Sequence, residues 1–224
     1  MKRSLKCPVG WNIAAQPDFN LEKQIEMLVR SVKNYSEAGV DFIEINESCP
    51  NTGENNYDFL SLGTRLLHLK QNLSRKDVPL MVKFSNDINI SQVGGLMELL
   101  VDLKYDGVNF GNTSIDYKVN RNSIDESERE LFDYFTSEFG GGISGKPLKE
   151  KSLELCTEAV KQVKGLKPNF EFHVIRTGGI DSAQDILESK KSGISMNQWF
   201  TGYWENFGKH GHDVYKKLYD DLKN

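Results

Sequence analysis

The sequence predicts an α/β fold built on a parallel β-sheet. Six short apolar runs alternate along the chain with longer segments whose apolar residues recur every three or four positions, as in amphipathic helices. Several of the longer segments end at glycine, a common stop signal for a helix. Strands that alternate with helices are joined by crossovers and therefore lie parallel. The sheet is either an open doubly wound sheet or a closed barrel.

The apolar runs are the predicted strands, and flanking polar and glycine residues set their bounds. These strands are 8–14, 41–46, 79–85, 107–112, 171–179 and 196–202. The amphipathic segments between them are predicted helices at 21–39, 59–73, 90–107, 151–165 and 182–193. The polar, glycine-rich stretch 113–145 interrupts this alternation and is predicted as a long loop with a short helix near 126–135. A loop of that length inside a compact domain usually serves a site.

Composition indicates one domain over residues 1–224, with a small molecule as its partner. The chain has 224 residues, of which 38% are hydrophobic and 27% charged, and a net charge of -4. Because its lysines and arginines form no basic stripe, we expect no nucleic-acid partner. No stretch approaches the roughly 20 apolar residues of a transmembrane segment. The N-terminus lacks the pattern of a signal peptide, so a cytoplasmic protein is predicted.

The carboxyl ends of the predicted strands carry polar and glycine residues. In parallel α/β folds these ends meet at one edge of the sheet, where ligands bind. A single asparagine there is more often a turn residue, so the prediction depends on the whole set. Its members are Asn12, Asn46, Cys49, Asn51, Lys83, Asn112, Thr113, Thr177, Gly178, Gly179, Thr201 and Gly202.

Two threonine-glycine segments, 177–179 and 201–202, indicate a phosphate site. Glycine lets backbone N–H groups and a helix N-terminus approach an anion closely, and barrels often build such a site after their last two strands. A side chain at Gly179 is expected to block that approach while the fold persists. Lys83, between two apolar neighbours, is predicted either to point inward toward an anionic partner or to be solvated.

Cys49 is a candidate general base, whereas Cys7 and Cys156 are expected to be buried structural thiols. Cys49 follows a strand in a segment of hydrogen-bonding residues. A thiol with a reference pKa of about 8.5 can act as a base if its surroundings lower that value. The scattered cysteines and histidines have no metal-ligand spacing, so no metal site is predicted.

Six segments together resemble one known family. They are INESCPNT (45–52), VKFSND (82–87), DGVNFGNTS (106–114), GGGISGKPLK (140–149), TGGIDSAQDILES (177–189) and WFTGYWENFG (199–208). In this order and spacing they resemble the FMN-dependent dihydroorotate dehydrogenases. The resemblance implies a TIM-type (β/α)8 barrel that holds FMN at the carboxyl ends of its strands. It also implies oxidation of dihydroorotate to orotate in pyrimidine biosynthesis.

The resemblance assigns a role to each matching residue. Cys49 would be the base that removes a proton from the substrate. The substrate would contact Asn46, Asn51, Asn112 and Thr113. The flavin and its phosphate would contact Asn12, Lys83, Gly142, Gly145, Gly178, Gly179, Thr201 and Gly202. Arg176 departs from the family, whose members usually carry glycine at that position.

The first part of the family barrel has no counterpart among the six predicted strands, because 8–14 matches the third βα unit. We therefore expect an incomplete barrel with about six of the eight units. Its gap would be open or filled by a second copy or a partner chain. The chain would then be a fragment, a late-start reading frame or a degenerate member.

Two other functions remain open: a non-catalytic flavin- or phosphate-binding barrel, and a flavin enzyme such as a tRNA dihydrouridine synthase. The acidic composition disfavours tRNA. The electron acceptor is also open among fumarate, NAD and a quinone. Cys49 is typical of soluble relatives, whereas GISGKPLKEKS (142–152) is more like the membrane-associated branch.

Overall fold

The computed structural model describes residues 7–47, 59–73 and 78–223. Their sheet has six parallel strands in the order of the sequence. The strands are β1 (Gly10–Ala14), β2 (Phe42–Asn46), β3 (Leu80–Phe84), β4 (Gly107–Phe110), β5 (His173–Thr177) and β6 (Met196–Gln198). Helices connect them, so the predicted parallel α/β fold with about six βα units is confirmed as a half-barrel.

The helices follow the predicted alternation. They are α1 (Leu21–Glu37), α2 (Phe59–Gln71), α3 (Val93–Asp102), α4 (Tyr117–Asn120), α5 (Arg129–Glu138), α6 (Lys149–Leu166), α7 (Ala183–Lys191), α8 (Thr201–His210) and α9 (Val214–Asp221). Side-chain caps fix some of their starts: Asn20 accepts from the backbone N–H of Lys23 before α1, and Ser182 with Asp185 forms a capping box before α7. None of the helices in the described ranges is long and apolar enough to cross a membrane.

The apolar core lies between the outer face of the sheet and the helices. Ile43, Ile45, Val82 and Phe84 are fully buried and belong to one cluster with residues of α1, α2, α3 and α6. Residues between them in the strands, such as Glu44, point to the opposite face, since side chains alternate along a strand. The inner face of the half-barrel is therefore left for polar side chains.

Two predicted elements need correction. The predicted strand 196–202 ends at Gln198, and α8 begins at Thr201. Thr201 and Gly202 are therefore in the first turn of a helix. The stretch 113–145 contains α4 and α5, and an antiparallel bridge between Ser114 and Ile143 joins its two ends. The short helix predicted near 126–135 is thus present as α5, displaced by three residues.

The two described cysteines differ in burial. Cys156 on α6 is buried, burial raises the pKa of its thiol to about 12, and its Sγ lies 3.5 Å from the carbonyl oxygen of Ile175. The prediction of a structural thiol is confirmed for Cys156. For Cys7 it is wrong, because Cys7 is exposed.

Candidate active site at the strand ends

A buried polar network lies on the inner face of the sheet. Asn109 of β4 donates from Nδ2 to carboxylate Oε1 of Glu44 and, at 2.9 Å, to Oε1 of Gln198. Gln198 Nε2 also donates to Glu44 Oε1, at 3.1 Å, and Thr177 Oγ1 donates to Asn109 Oδ1 at 2.9 Å. The network joins β2, β4, β5 and β6 and fixes the floor of the half-barrel.

Lys83 of β3 points to this inner face. It is the register partner of Asn46 on one side and of Asn109 on the other, both of which contribute to the inner polar surface. Burial lowers the pKa of Lys83, and the charge of Glu44 partly opposes that effect. Of the two predictions for Lys83, the structure favours the inward-pointing amine, held in a position where an anionic or electron-rich ligand would be stabilising.

Two of the predicted substrate residues lie in direct contact at the carboxyl ends of β2 and β4. Asn112 Nδ2 lies 3.4 Å from Asn46 Oδ1, and the backbone N–H of Thr113 donates to Asn112 Oδ1 at 3.0 Å. The three residues therefore form one polar surface next to Lys83. A Cβ at Gly142 would lie 2.0 Å from Thr113 Oγ1, so the absence of a side chain at 142 lets the two strands of the 114–143 bridge approach.

The predicted phosphate residues converge between β5, the start of α6 and the start of α8. A Cβ at Gly145 would lie 3.0 Å from Thr201 Cγ2, and one at Gly202 would lie 2.2 Å from the carbonyl oxygen of Ile180. Thr201 Oγ1 and Ser144 Oγ are 2.9 Å apart. The glycines therefore bring three loops within contact distance, which side chains at 145 and 202 would prevent.

Backbone donors in this cradle are available for a ligand. The N–H groups of Gly178 and Gly179 make no hydrogen bond within the described part of the chain, and both residues have positive φ, +120° and +73°. The ten-residue helix α8 begins without a side-chain cap, which leaves its first-turn N–H groups free to face an anion. A cleft of about 730 Å³ adjoins the cradle and is lined by Gly142, Gly145, Lys146, Thr201 and residues of α5.

The remaining predicted site residues are Cys49, Asn51 and Asn12. Cys49 and Asn51 lie outside the described residues. Glu47 is the last described residue before them. Its carboxylate forms an ion pair with Arg65 of α2, whose Nη2 and Nε donate to Glu47 Oε2 at 2.6 and 3.0 Å. Asn12 on β1 is exposed, on the register level of Glu44. Because register partners on neighbouring parallel strands point to the same side, Asn12 lies on the inner face of the sheet with Glu44.

Four residues of the inner surface were missed in the sequence: Glu44, Asn86, Asn109 and Gln198. Asn86 is buried, and its Nδ2 donates to the carbonyl oxygen of Asn112 at 2.8 Å, which ties β3 to β4. Glu44 and Asn109 are polar residues inside otherwise apolar strand sequences, whereas Gln198 follows Asn197 at the end of β6. That placement was a usable signal for an inward-facing polar layer, because an apolar strand with one polar side chain must satisfy it internally.

The chain matches one protein-family model and several curated proteins. A family model described as dihydroorotate dehydrogenase matches residues 6–224. Dihydroorotate dehydrogenase (quinone) of Wigglesworthia glossinidia brevipalpis is 29% identical over 210 residues, which cover 90% of this chain and 57% of that protein. The enzyme of the same name from Nautilia profundicola is 31% identical over 201 residues, covering 87% of this chain and 48% of that protein.

Solved structures agree at the level of the fold. The crystal structure of DHODH from Eimeria tenella in complex with ferulenol superposes with a TM-score of 0.73 at 21% identity, covering 98% of this chain and 58% of that one. The ligand-free structure from the same organism gives a TM-score of 0.73 at 22% identity. The chain spans about half the length of the curated relatives that it matches.

Proposed function

The chain belongs to the dihydroorotate dehydrogenase family, and we propose that it binds FMN at the strand ends and oxidises dihydroorotate to orotate. The single observation that supports this most strongly is the convergence of Lys83, Asn46 and Asn112 at one edge of the sheet, next to a glycine cradle with free backbone donors. Family membership favours dihydroorotate over a tRNA substrate.

The residues present fit a flavin mononucleotide. Its phosphate requires backbone donors without a competing partner, which Gly178, Gly179 and the uncapped start of α8 offer. The isoalloxazine ring requires a flat polar floor, which fits the network of Glu44, Asn109 and Gln198. A positive charge at the pyrimidine edge of the ring would stabilise the reduced anion, and Lys83 would be the residue that supplies it.

The side chains of this chain would divide the chemistry. A bound flavin would supply the hydride acceptor, and every other task would fall to the protein. Asn46 and Asn112 would orient the pyrimidine through their amide groups, which can both donate and accept hydrogen bonds. Cys49 would remove the proton from C5 of dihydroorotate as a thiolate base. The ion pair of Glu47 with Arg65 would anchor the chain two residues before Cys49.

Completion of the barrel is part of the proposal. In the described residues β1 pairs only with β2, and β6 only with β5, so each has one open edge. Next to β6, Phe200 and Trp204 of the α8 region are 72% and 55% exposed. We propose that further polypeptide supplies the two remaining βα units and covers these edges. In size-exclusion chromatography with light scattering, the chain mixed with the corresponding segment of the Nautilia profundicola enzyme should elute as a 1:1 complex.

Flavin absorbance of the purified chain tests the function. We expect a yellow protein whose flavin band bleaches when dihydroorotate is added without oxygen. The matched relatives are named for a quinone, so a water-soluble quinone is the first acceptor to test for reoxidation. A flavin that stays oxidised in the presence of dihydroorotate would contradict the proposed reaction.

A cytoplasmic location of the protein stays a prediction from the sequence.

A second function, flavin or phosphate binding without turnover, is favoured by the exposure of Asn12 and the open edge of β1. In that case the chain would retain FMN, and dihydroorotate would neither bind nor reduce it. Titration of the oxidised flavin with orotate separates the two functions, because a substrate site should perturb the flavin spectrum on product binding even when turnover is absent.

A further inference from the structure

Arg176 is a fully buried cation behind the glycine cradle, which is formed by Gly145, Gly178, Gly179 and Gly202. It lies on β5 between two inward-facing residues and points outward, toward α6 and α7. Its guanidinium donates to Ser152 Oγ at 2.9 Å, Ser189 Oγ at 3.0 Å and the carbonyl oxygen of Lys149 at 2.8 Å. All three acceptors are neutral. The carbonyl oxygen of Asp185 is a fourth neutral acceptor, at 3.5 Å. Burial lowers the pKa of Arg176, and the nearby charges of Asp185 and Glu188 offset this only in part, so the cation is costly to the fold.

Ser152 connects this cation to the cradle. Its hydroxyl accepts a hydrogen bond from Arg176 Nε and lies 2.7 Å from the carbonyl oxygen of Gly178. The carbonyl oxygen of Lys149, which also accepts from Arg176, is the other acceptor within reach of the hydroxyl, but at 3.0 Å it is farther away than the Gly178 oxygen. The hydroxyl proton of Ser152 is therefore directed to Gly178.

The carbonyl of Gly178 and the N–H of Gly179 belong to the same peptide unit. That unit is trans, as are all peptide bonds in the described chain, so its C=O and N–H point in opposite directions. Fixing the carbonyl toward Ser152 therefore aims the N–H of Gly179 away from Ser152. This N–H makes no hydrogen bond with any described residue.

We propose that Arg176 is a positioning residue that, through the Ser152 hydroxyl, orients the Gly178–Gly179 peptide for anion binding. The proposal rests on the proposed function for the identity of the anion, the phosphate of FMN. Glycine pairs are free to adopt many conformations, and a donor that is already oriented loses less entropy on binding. A fixed peptide plane thus offsets the flexibility that the glycines introduce.

Two buried serines provide a matched test. Ser152 and Ser189 are both fully buried and both accept from Arg176, but only Ser152 reaches Gly178. Ser152→Ala should weaken FMN binding about tenfold, the effect of about one hydrogen bond, and change riboflavin binding less than about twofold, because riboflavin lacks the phosphate. Ser189→Ala should lower thermal stability and leave the ratio of the two affinities unchanged. Arg176→Lys, which keeps the charge without the planar fork, should behave like Ser152→Ala.

A ligand-free measurement separates this inference from the proposed function. Backbone ¹⁵N relaxation should show rigid amides at Gly178 and Gly179 in the wild type and in Ser189→Ala, and lower order parameters in Ser152→Ala and Arg176→Lys. Unchanged order parameters in the latter pair would overturn the inference. So would equal losses of FMN and riboflavin affinity. If the wild type bound no FMN, the proposed function would fail, and the relaxation data would still decide whether Arg176 orients the peptide.

Discussion

Gly179 lies against the start of α6 so closely that a Cβ at this position would be 2.4 Å from Cα of Lys149. The neighbouring atom belongs to the backbone of a helix, which cannot turn aside as a flexible side chain can. Gly179 also has φ of +73°, a conformation that residues with a Cβ rarely adopt. The packing of the fold therefore requires glycine at this position.

Gly179→Val should destabilise the protein rather than only remove its ligand. Strain at positive φ and the clash with Lys149 together should lower the free energy of unfolding by about 2 kcal/mol or more, measured by urea denaturation. Gly165→Ala in α6 is the control, because a Cβ there meets nothing within 4 Å and alanine favours a helix. The sequence predicts that the fold persists in Gly179→Val, and this geometry does not support that prediction. A Gly179→Val variant as stable as the wild type would contradict the expected destabilisation.

Lys83→Met should stabilise the ligand-free chain while weakening its binding of flavin. Burial lowers the pKa of Lys83, which means that the charged amine is less favourable in the folded than in the unfolded state. This penalty is complete below the folded pKa and disappears as the pH rises toward the unfolded value of about 10.4. The gain in unfolding free energy should accordingly be larger at pH 7 than at pH 10.

The control for Lys83 is Lys33→Met, at an exposed position of α1. We expect little change in its stability at either pH, and none in flavin affinity. A loss of stability in Lys83→Met at pH 7 would show that the amine makes favourable contacts that outweigh its burial. Equal flavin affinity of Lys83→Met and the wild type would remove Lys83 from the proposed cofactor site.

The strands were predictable because each is a short apolar run with a polar end. The predicted strands 41–46 and 79–85 match β2 (Phe42–Asn46) and β3 (Leu80–Phe84) to within one residue at each end. The prediction failed after Gln198, where Trp199 and Phe200 resemble a continuing strand. In the structure Trp199 packs edge-on to Tyr203 and Tyr215, in an aromatic cluster with α8 and the start of α9. Local sequence does not distinguish aromatic residues that pack on helices from those in strands.

The site was only partly predictable, because residues far apart in the sequence form it together. Glu44 and Gln198 share a hydrogen bond although 154 positions separate them. Neither residue follows a recognisable motif, and only the register of the six strands brings them together. Arg176 shows the same limit. Its position two residues before Gly178 was visible in the sequence, but its partners Ser152 and Ser189 lie on two different helices.

Cys49→Ser should leave flavin bound and slow its reduction by dihydroorotate about a hundredfold or more. A serine hydroxyl is far less acidic than a thiol, so proton removal from the substrate should suffer while cofactor contacts stay intact. Stopped-flow absorbance of the flavin band measures the rate. Cys7→Ser, at an exposed thiol, is the control and should reduce at the wild-type rate. An unchanged rate in Cys49→Ser would remove this residue from the mechanism.

Asp185→Asn should lower the free energy of unfolding at pH 7 by about 2 kcal/mol, less than the usual cost of breaking a fully buried ion pair because the Lys149 side chain is partly exposed. One carboxylate oxygen lies 2.5 Å from Lys149 Nζ, and the other accepts from the backbone N–H groups of Asp181 and Ser182. An asparagine would place its NH₂ group against one of these donors in either orientation. Asp18→Asn, at an exposed aspartate, should have little effect.

The pH dependence of that difference provides a second check. Burial acts to raise the pKa of Asp185, but Lys149, Ser182 and the N–H of Asp181 outweigh it, and the pKa falls to about 2. A depressed folded pKa contributes stability above the unfolded value of about 3.9, and this stability is lost as the pH falls toward about 2. The gap in unfolding free energy between wild type and Asp185→Asn should therefore narrow between about pH 4 and pH 2. Burial raises the pKa of the neighbouring Asp181, which titrates together with Asp185, so the difference curve reports the pair. A gap that stays constant over this range would show that the ion pair with Lys149 does not stabilise the fold.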